Sequence, residues 1–148
     1  MGSMEKLITI RKCKKEDAEF IFKIICQLEG ENPDVDDFNK VFLFNLANPE
    51  VHYIIAEFNS KIIGFASMHI QHLLHHTGKV AEIQELFIDP AYRNRGFGEE
   101  LLWYLRDIAG TEKCKHLEIS CNLVRDKANS FFSNRGLSHT HRKFTERL

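Results

Sequence analysis

The stretch Ala81–Tyr104, AEIQELFIDPAYRNRGFGEELLWY, decides the fold. It opens with an apolar run from Ile83 to Ile88, the composition of a strand. Asp89 and Pro90 stop that run, since proline cannot donate to a ladder and suits a strand end. Arg93-Asn94-Arg95-Gly96-Phe97-Gly98 follows, and then Leu101, Leu102 and Leu105 at helical spacing. The order is strand, basic glycine loop, helix. A helix start leaves backbone N–H groups without partners in the helix and carries partial positive charge. Gly96 and Gly98 let the backbone approach a ligand, and Arg93 and Arg95 add forked donors that match phosphate. Together they suit a pyrophosphate or similar anion. A P-loop would need Gly-Lys-Ser/Thr after its glycines. A dinucleotide loop would need a third glycine where Leu101 stands.

Outward from this stretch the chain reads as alternating elements. Leu7–Arg11 is a first strand. Lys14–Leu28 has apolar residues at helical spacing and ends at Gly30. Asp34 caps a second helix, with Asp37 three residues on, and Asn48-Pro49 closes it. Val51–Glu57 and Lys61–Gln71 are strands joined by a turn at Asn59-Ser60. His72–Gly78 is a histidine-rich connection to the central strand, Lys79–Ile88. The third helix runs to Ala109, Lys115–Cys121 is a fifth strand, and Asp126–Asn134 is a short helix. Leu137–Arg147 is expected as a final edge strand. The order β-α-α-β-β-β-α-β-α-β implies an α/β chain, α+β in arrangement, with a mixed sheet and helices on both faces.

The 148 residues suit one domain with its own core. Met1-Gly2-Ser3 ahead of Met4 reads as a cloning scar (1–3), leaving a single domain at 4–148. With 20 basic and 21 acidic residues and a net charge of -1, no nucleic-acid footprint shows. No apolar run is long enough to span a membrane and no signal peptide appears, so a cytoplasmic protein is expected. The four cysteines, Cys13, Cys26, Cys114 and Cys121, show no C-x-x-C spacing, and Cys26 and Cys121 read as small core residues.

Arg93-x-x-Gly96-x-Gly98, after a strand that ends in x-Pro and before a helix, resembles the GNAT superfamily of acyl-CoA-dependent N-acyltransferases. The element order extends the resemblance over essentially the whole chain. It implies a single-domain GNAT fold whose central and fifth strands splay apart around acetyl-CoA, the co-substrate. Arg93, Asn94, Arg95, Gly96, Phe97, Gly98 and Glu99 would wrap the pyrophosphate. Leu86, Phe87 and Ile88 would offer backbone groups to the pantetheine arm, with Asn122 and Asn129 beside it. The family's A-x-x-F-Y pattern falls on Ala128 to Phe132, so Phe132 replaces the tyrosine that protonates the departing thiolate. Within the superfamily, His69-Ile70-Gln71-His72-Leu73-Leu74-His75-His76 running into Glu82-Ile83-Gln84-Glu85-Leu86 resembles the aminoalkylphosphonate N-acetyltransferases. Phe42 to Pro49 (F-x-x-N-L-x-x-P) and Phe144-Thr145 are similar to them too.

Acetyl transfer to an amine needs a base, a donor for the thioester oxygen, and a proton for the thiolate. Glu82 and Glu85 are the candidate bases. Their odd spacing puts them on opposite faces of a regular strand, unless a bulge intervenes. Glu82 stands fourteen residues before Gly96, where the histone-type members of the family carry their base, and Glu85 matches the acidic position of several small-amine members. Three readings of the histidines stay open. His75 and His76 form a divalent-metal site with Glu82 or Glu85. Alternatively, His75, His76, Arg142 and Lys143 bind an anionic substrate directly. The third reading is a solvated polar loop. Cys114 and Cys121 lack an adjacent activating base, which disfavours an acyl-enzyme. The expected function is acetyl-CoA-dependent acetylation of a small primary amine by direct attack in a ternary complex, with an aminoalkylphosphonate as the most specific acceptor. The rivals are a polyamine, an aminoglycoside or a protein N-terminus as acceptor, and a non-catalytic acetyl-CoA-binding sensor. A homodimer is the one macromolecular partner expected, since Phe20, Phe22, Phe42 and Phe44 exceed what one helical face needs.

Overall fold

The computed structural model describes residues 8–120 and 126–148. Cys121 and Asn122 lie outside the described residues. The chain forms β1 (Ile8–Lys12), α1 (Ala18–Glu29), α2 (Val35–Leu46), β2 (Val51–Phe58), β3 (Lys61–Leu73), β4 (Gly78–Ile88), α3 (Phe97–Thr111), β5 (His116–Ile119) and α4 (Asp126–Ser133). Gly30 ends α1 with a φ of 69°, the left-handed conformation in which glycine pays no steric penalty. Asp34 caps α2 by accepting the Asp37 N–H at 3.0 Å.

The five strands lie in the order β1-β2-β3-β4-β5. The first three pairings are antiparallel. The last, β4 with β5, is parallel and is reached by the α3 crossover. Helices cover both faces. On one face Ile54, Ala56, Met68 and Ile83 pack with Leu101, Leu102 and Leu105 of α3. On the other, Ile55, Phe65 and Phe87 pack with Ile21 and Ile24 of α1 and Phe42 of α2. Each such leucine or isoleucine stabilises the fold by about 2 kcal/mol. Gly64 brings β3 close to β4: a Cβ there would sit 2.8 Å from the Phe87 carbonyl oxygen.

Two features depart from the sequence reading. The connection expected at His72–Gly78 is shorter, because β3 continues to Leu73 and one 3₁₀ turn, Leu74–His76, precedes β4. The final strand at Leu137–Arg147 does not form: 137–148 is without strand, and 138–148 is exposed throughout. Its run Ser138-His139-Thr140-His141-Arg142-Lys143 has no apolar alternation to bury, so pairing it with β5 would gain little.

The ladder between β4 and β5 ends at Ile83 opposite Ile119, while β4 runs on to Ile88. Among the described residues, Gln84–Ile88 have no β5 partner. This end of β4 positions the site. None of the described helices is long and apolar enough to cross a membrane.

Candidate active site

A bulge lies where the β5 partners of β4 end among the described residues. Ser67 of β3 lies opposite Glu85, yet the next residue, Met68, lies opposite Ile83, which leaves Gln84 as the extra residue. A bulge reverses the alternation. Ile83 before it and Leu86 and Ile88 after it all belong to the α3 face, whereas Phe87 belongs to the α1/α2 face. Glu82 and Glu85 therefore share the α1/α2 face, despite their odd spacing.

Glu85 is held on several sides. The Ser67 hydroxyl donates to the Glu85 carboxylate, and the Glu85 N–H donates to Ser67 Oγ at 3.1 Å. Ser67 is 0% exposed. Tyr53 occupies the same rung, opposite Ser67 on β2, and its hydroxyl accepts from Asn45 Nδ2 at 2.7 Å. Burial raises the Glu85 pKa above the usual carboxylate value, and the charge of Glu29, at the end of α1, raises it further. Glu82 faces His69 across β3 and Glu118 across β5. Burial lowers the His69 pKa, with the Glu82 charge opposing.

The histidines gather at the near end of the same face. The His75 and His76 rings lie 4.3 Å apart, and His76 and His116 likewise 4.3 Å apart. His76 Nε2 is 3.5 Å from Glu118 Oε1. Desolvation lowers the His76 pKa first; His75, His116 and His141 lower it further, and Glu118 opposes them. Thus the carboxylate that meets His76 is Glu118 rather than Glu82. Among the described residues no group of three or more His, Cys, Asp or Glu side chains is arranged to hold a metal ion. The set His75, His76 and Glu82 does not fit one. Arg142 and Lys143 are exposed, next to His141 on the terminal segment.

The glycine loop follows β4. Asp89 accepts the Ala91 N–H at 2.9 Å and starts a 3₁₀ turn with Pro90 in its first position. Arg93 turns back, donating from Nε to the Ile88 carbonyl at 2.8 Å and lying over the Phe87 ring. Of the three expected pantetheine-pairing residues, Ile88 thus has its carbonyl engaged by Arg93. Arg95 lies over the Tyr92 ring. Asn94 has a φ of 62° and Gly96 a φ of 83°, so the chain makes two left-handed steps before α3. The space a Gly96 Cβ would enter is open to 4 Å, and Gly96 is the N-cap of α3. Phe97 is buried in the core, and Glu99 pairs with Arg135 at 3.7 Å. A Gly98 Cβ would make only ordinary contact with Phe131 and Ile88. Phe132 packs edge-on against Phe131 and brings no hydroxyl. Asn129 is partly buried on α4.

Local motifs pointed to Glu82, Glu85 and the loop. They did not point to Ser67, His116 or Glu118, which reach the site only through strand register. His69 could have been singled out by its place in the histidine-rich segment.

A basic glycine loop at a helix start, directly after the fourth strand of a mixed five-stranded sheet, is the architecture of a CoA-dependent acyltransferase. The chain belongs to the acetyltransferase (GNAT) family, whose pattern matches residues 16–137, and it is an acyl-CoA-dependent N-acetyltransferase. Among curated relatives, it is 33% identical over 139 residues to an aminoalkylphosphonate N-acetyltransferase of Salmonella typhimurium, covering 94% of this chain and 90% of that protein. Among solved structures, a transcriptional regulator from Bacillus halodurans superposes with a TM-score of 0.88 at 18% identity, over 95% of this chain and 99% of that one. The aminoglycoside N-acetyltransferase AAC(6')-Iy in complex with CoA gives 0.87 at 19% identity, over 100% of this chain and 99% of that one. At these identities the structural matches speak for the fold alone.

Proposed function

We propose that this protein transfers the acetyl group of acetyl-CoA to the primary amine of a small molecule that also carries an anionic group, an aminoalkylphosphonate being the foremost candidate. The observation that carries the reading is the pairing, on one sheet face, of two carboxylates on β4 with three neighbouring imidazoles at its near end. His116 sits opposite Val80, two residues before Glu82, which is about 7 Å along a strand. That suits a short molecule with an amine at one end and an anion at the other.

In this reading the loop from Arg93 to Glu99 takes the CoA pyrophosphate, with the first amides of α3 and the left-handed turns forming the cradle. Backbone groups of Leu86 and Phe87 pair with the pantetheine arm, and Asn129 and Phe132 flank it. Glu82 holds the incoming ammonium. Glu85, through a water, takes one ammonium proton. The amine nitrogen then bonds to the thioester carbon, and the β4 amides at the bulge steady the developing oxyanion. When the C–S bond breaks, a second proton from the same nitrogen passes to the thiolate, a route that does not need the hydroxyl missing at Phe132. His75, His76 and His116 hold the anionic end, with Arg142 and Lys143 on the terminal segment adding positive charge. No step runs through a metal.

A second reading has its own support. Glu29, Glu82, Glu85 and Glu118 bring negative charge to this face, which favours a polycationic acceptor such as an aminoglycoside or polyamine. The test is to incubate the protein with acetyl-CoA and each amine of a panel, and to identify N-acetyl products by mass. Acetylated aminoalkylphosphonates are expected. Acetylated polyamines or aminoglycosides without any acetylated phosphonate would transfer the assignment to the second reading. Acetyl-CoA binding with no product from any amine would favour a sensor.

A further inference from the structure

Ser67 belongs to the core by position and not by chemistry. It is 0% exposed, on a strand whose flanking residues Ala66 and Met68 are buried and apolar. Its hydroxyl meets the same partner residue twice, accepting the Glu85 N–H at 3.1 Å and donating to the Glu85 carboxylate. The bulge explains the first contact: the extra residue Gln84 breaks the ladder next to Glu85, and Ser67 Oγ takes in the Glu85 N–H. The second contact is of another kind. A hydroxyl has one proton to give, and Ser67 gives it to the carboxylate, which favours the ionised form. Burial and Glu29 press in the opposite direction.

We infer that Ser67 is a positioning residue for the transfer reaction: it fixes the Glu85 carboxylate at the β4 bulge and keeps it ionised, so that it can accept a proton. This rests on the reading of Glu85 as the base. Without the hydroxyl, the half-buried Glu85 would feel the Glu29 charge with no donor from Ser67 to hold its own. It would take up a proton at higher pH and lose its fixed direction.

The experiment compares the full-length wild type with Ser67→Ala, Ser67→Thr, Glu85→Gln and the Ser67→Ala/Glu85→Gln pair. Two quantities are read. One is the titration midpoint of the Glu85 side-chain carboxyl by carbon NMR, which does not depend on any acceptor. The other is the pH profile of kcat/KM for acetyl-CoA with 2-aminoethylphosphonate. In Ser67→Ala the midpoint and the acid limb should both rise by about one pH unit, the scale of a lost hydrogen bond to a charged group. Ser67→Thr should restore both. In the Glu85→Gln background, Ser67→Ala should cause no further loss, because Ser67 acts only through Glu85. A midpoint that stays in place in Ser67→Ala would overturn the inference, as would full additivity in the double variant. Wild-type turnover in Glu85→Gln would overturn the base reading, and Ser67's catalytic part with it, even where the midpoint had moved. Should the alanine variant fail to fold, Ser67→Cys, with its weaker donor, carries the same comparison.

Discussion

Glu85 is where stability and activity pull apart at the scale of a single residue. Its folded pKa is raised by burial and by Glu29. Between its ordinary value and the raised one, the folded protein holds a proton that the unfolded chain has released. Stability contributed by this group therefore falls as pH rises through that window. Glu85→Gln removes the charge and keeps an acceptor for Ser67. It should raise Tm at pH 7, with the gain vanishing below about pH 4, where both forms are neutral. The same change should lower kcat by roughly 10²-fold or more. Thermal melts at several pH values, together with turnover at pH 7, check both halves; a lower Tm with unchanged kcat would contradict both. Glu82 and Glu85 were legible from local sequence, since carboxylates in an apolar strand ask for a reason. Ser67 was not, because a serine in a strand carries no such flag until the register places it opposite Glu85. His116 and Glu118 stayed hidden for the same cause, being joined to the histidine turn only by parallel pairing.

At the scale of elements, the strand-loop-helix unit carries its instructions locally. Asp89-Pro90 stops β4, and Gly96 takes the left-handed step that starts α3. Its φ of 83° is the constraint, as nothing crowds a Cβ there. Gly96→Ala should therefore act through backbone strain, at a cost of about 1–2 kcal/mol, which lowers Tm by roughly 3–6 °C. It should also raise the KM for acetyl-CoA, because relief of the strain would turn the loop amides away from the pyrophosphate. A melt and an acetyl-CoA saturation curve test this; wild-type values in both would show that the turn is not needed. Elements whose pairing is not local were read less well. The bulge at Gln84 shows in the sequence only as a three-residue step, Ile83 to Leu86, in the apolar pattern of β4, which does not by itself show that the register shifts. The final strand failed for the converse reason. Its composition is tolerable for an edge, but β5 spans only His116–Ile119 among the described residues, a short template with little apolar surface to reward pairing.

Across the whole molecule, the sheet separates two tasks. The α3 face is a continuous apolar core. The α1/α2 face begins as core around Phe65 and Phe87 and turns polar at the bulge, where Glu85, Glu82, Glu118, His76 and His116 follow one another. A near-neutral chain, with a net charge of -1, thus places carboxylates and imidazole rings next to one another on one face. The fold class and the strand-loop-helix unit could be read from the sequence because they depend on periodicity and on one contiguous motif. The polar end of the α1/α2 face could not, because it is assembled from β3, β4, β5 and the turn between the first two.

The central claim is that this face selects an amine tethered to an anion. The most direct measurement is kcat/KM for 2-aminoethylphosphonate relative to n-propylamine, with acetyl-CoA saturating and CoA release followed at pH 7. If the imidazole cluster holds the anion, the phosphonate should be favoured by about 10²-fold, the worth of roughly two charge-assisted hydrogen bonds. A ratio near one, or a preference for the uncharged amine, would contradict the account and leave the acceptor to be sought among polycations.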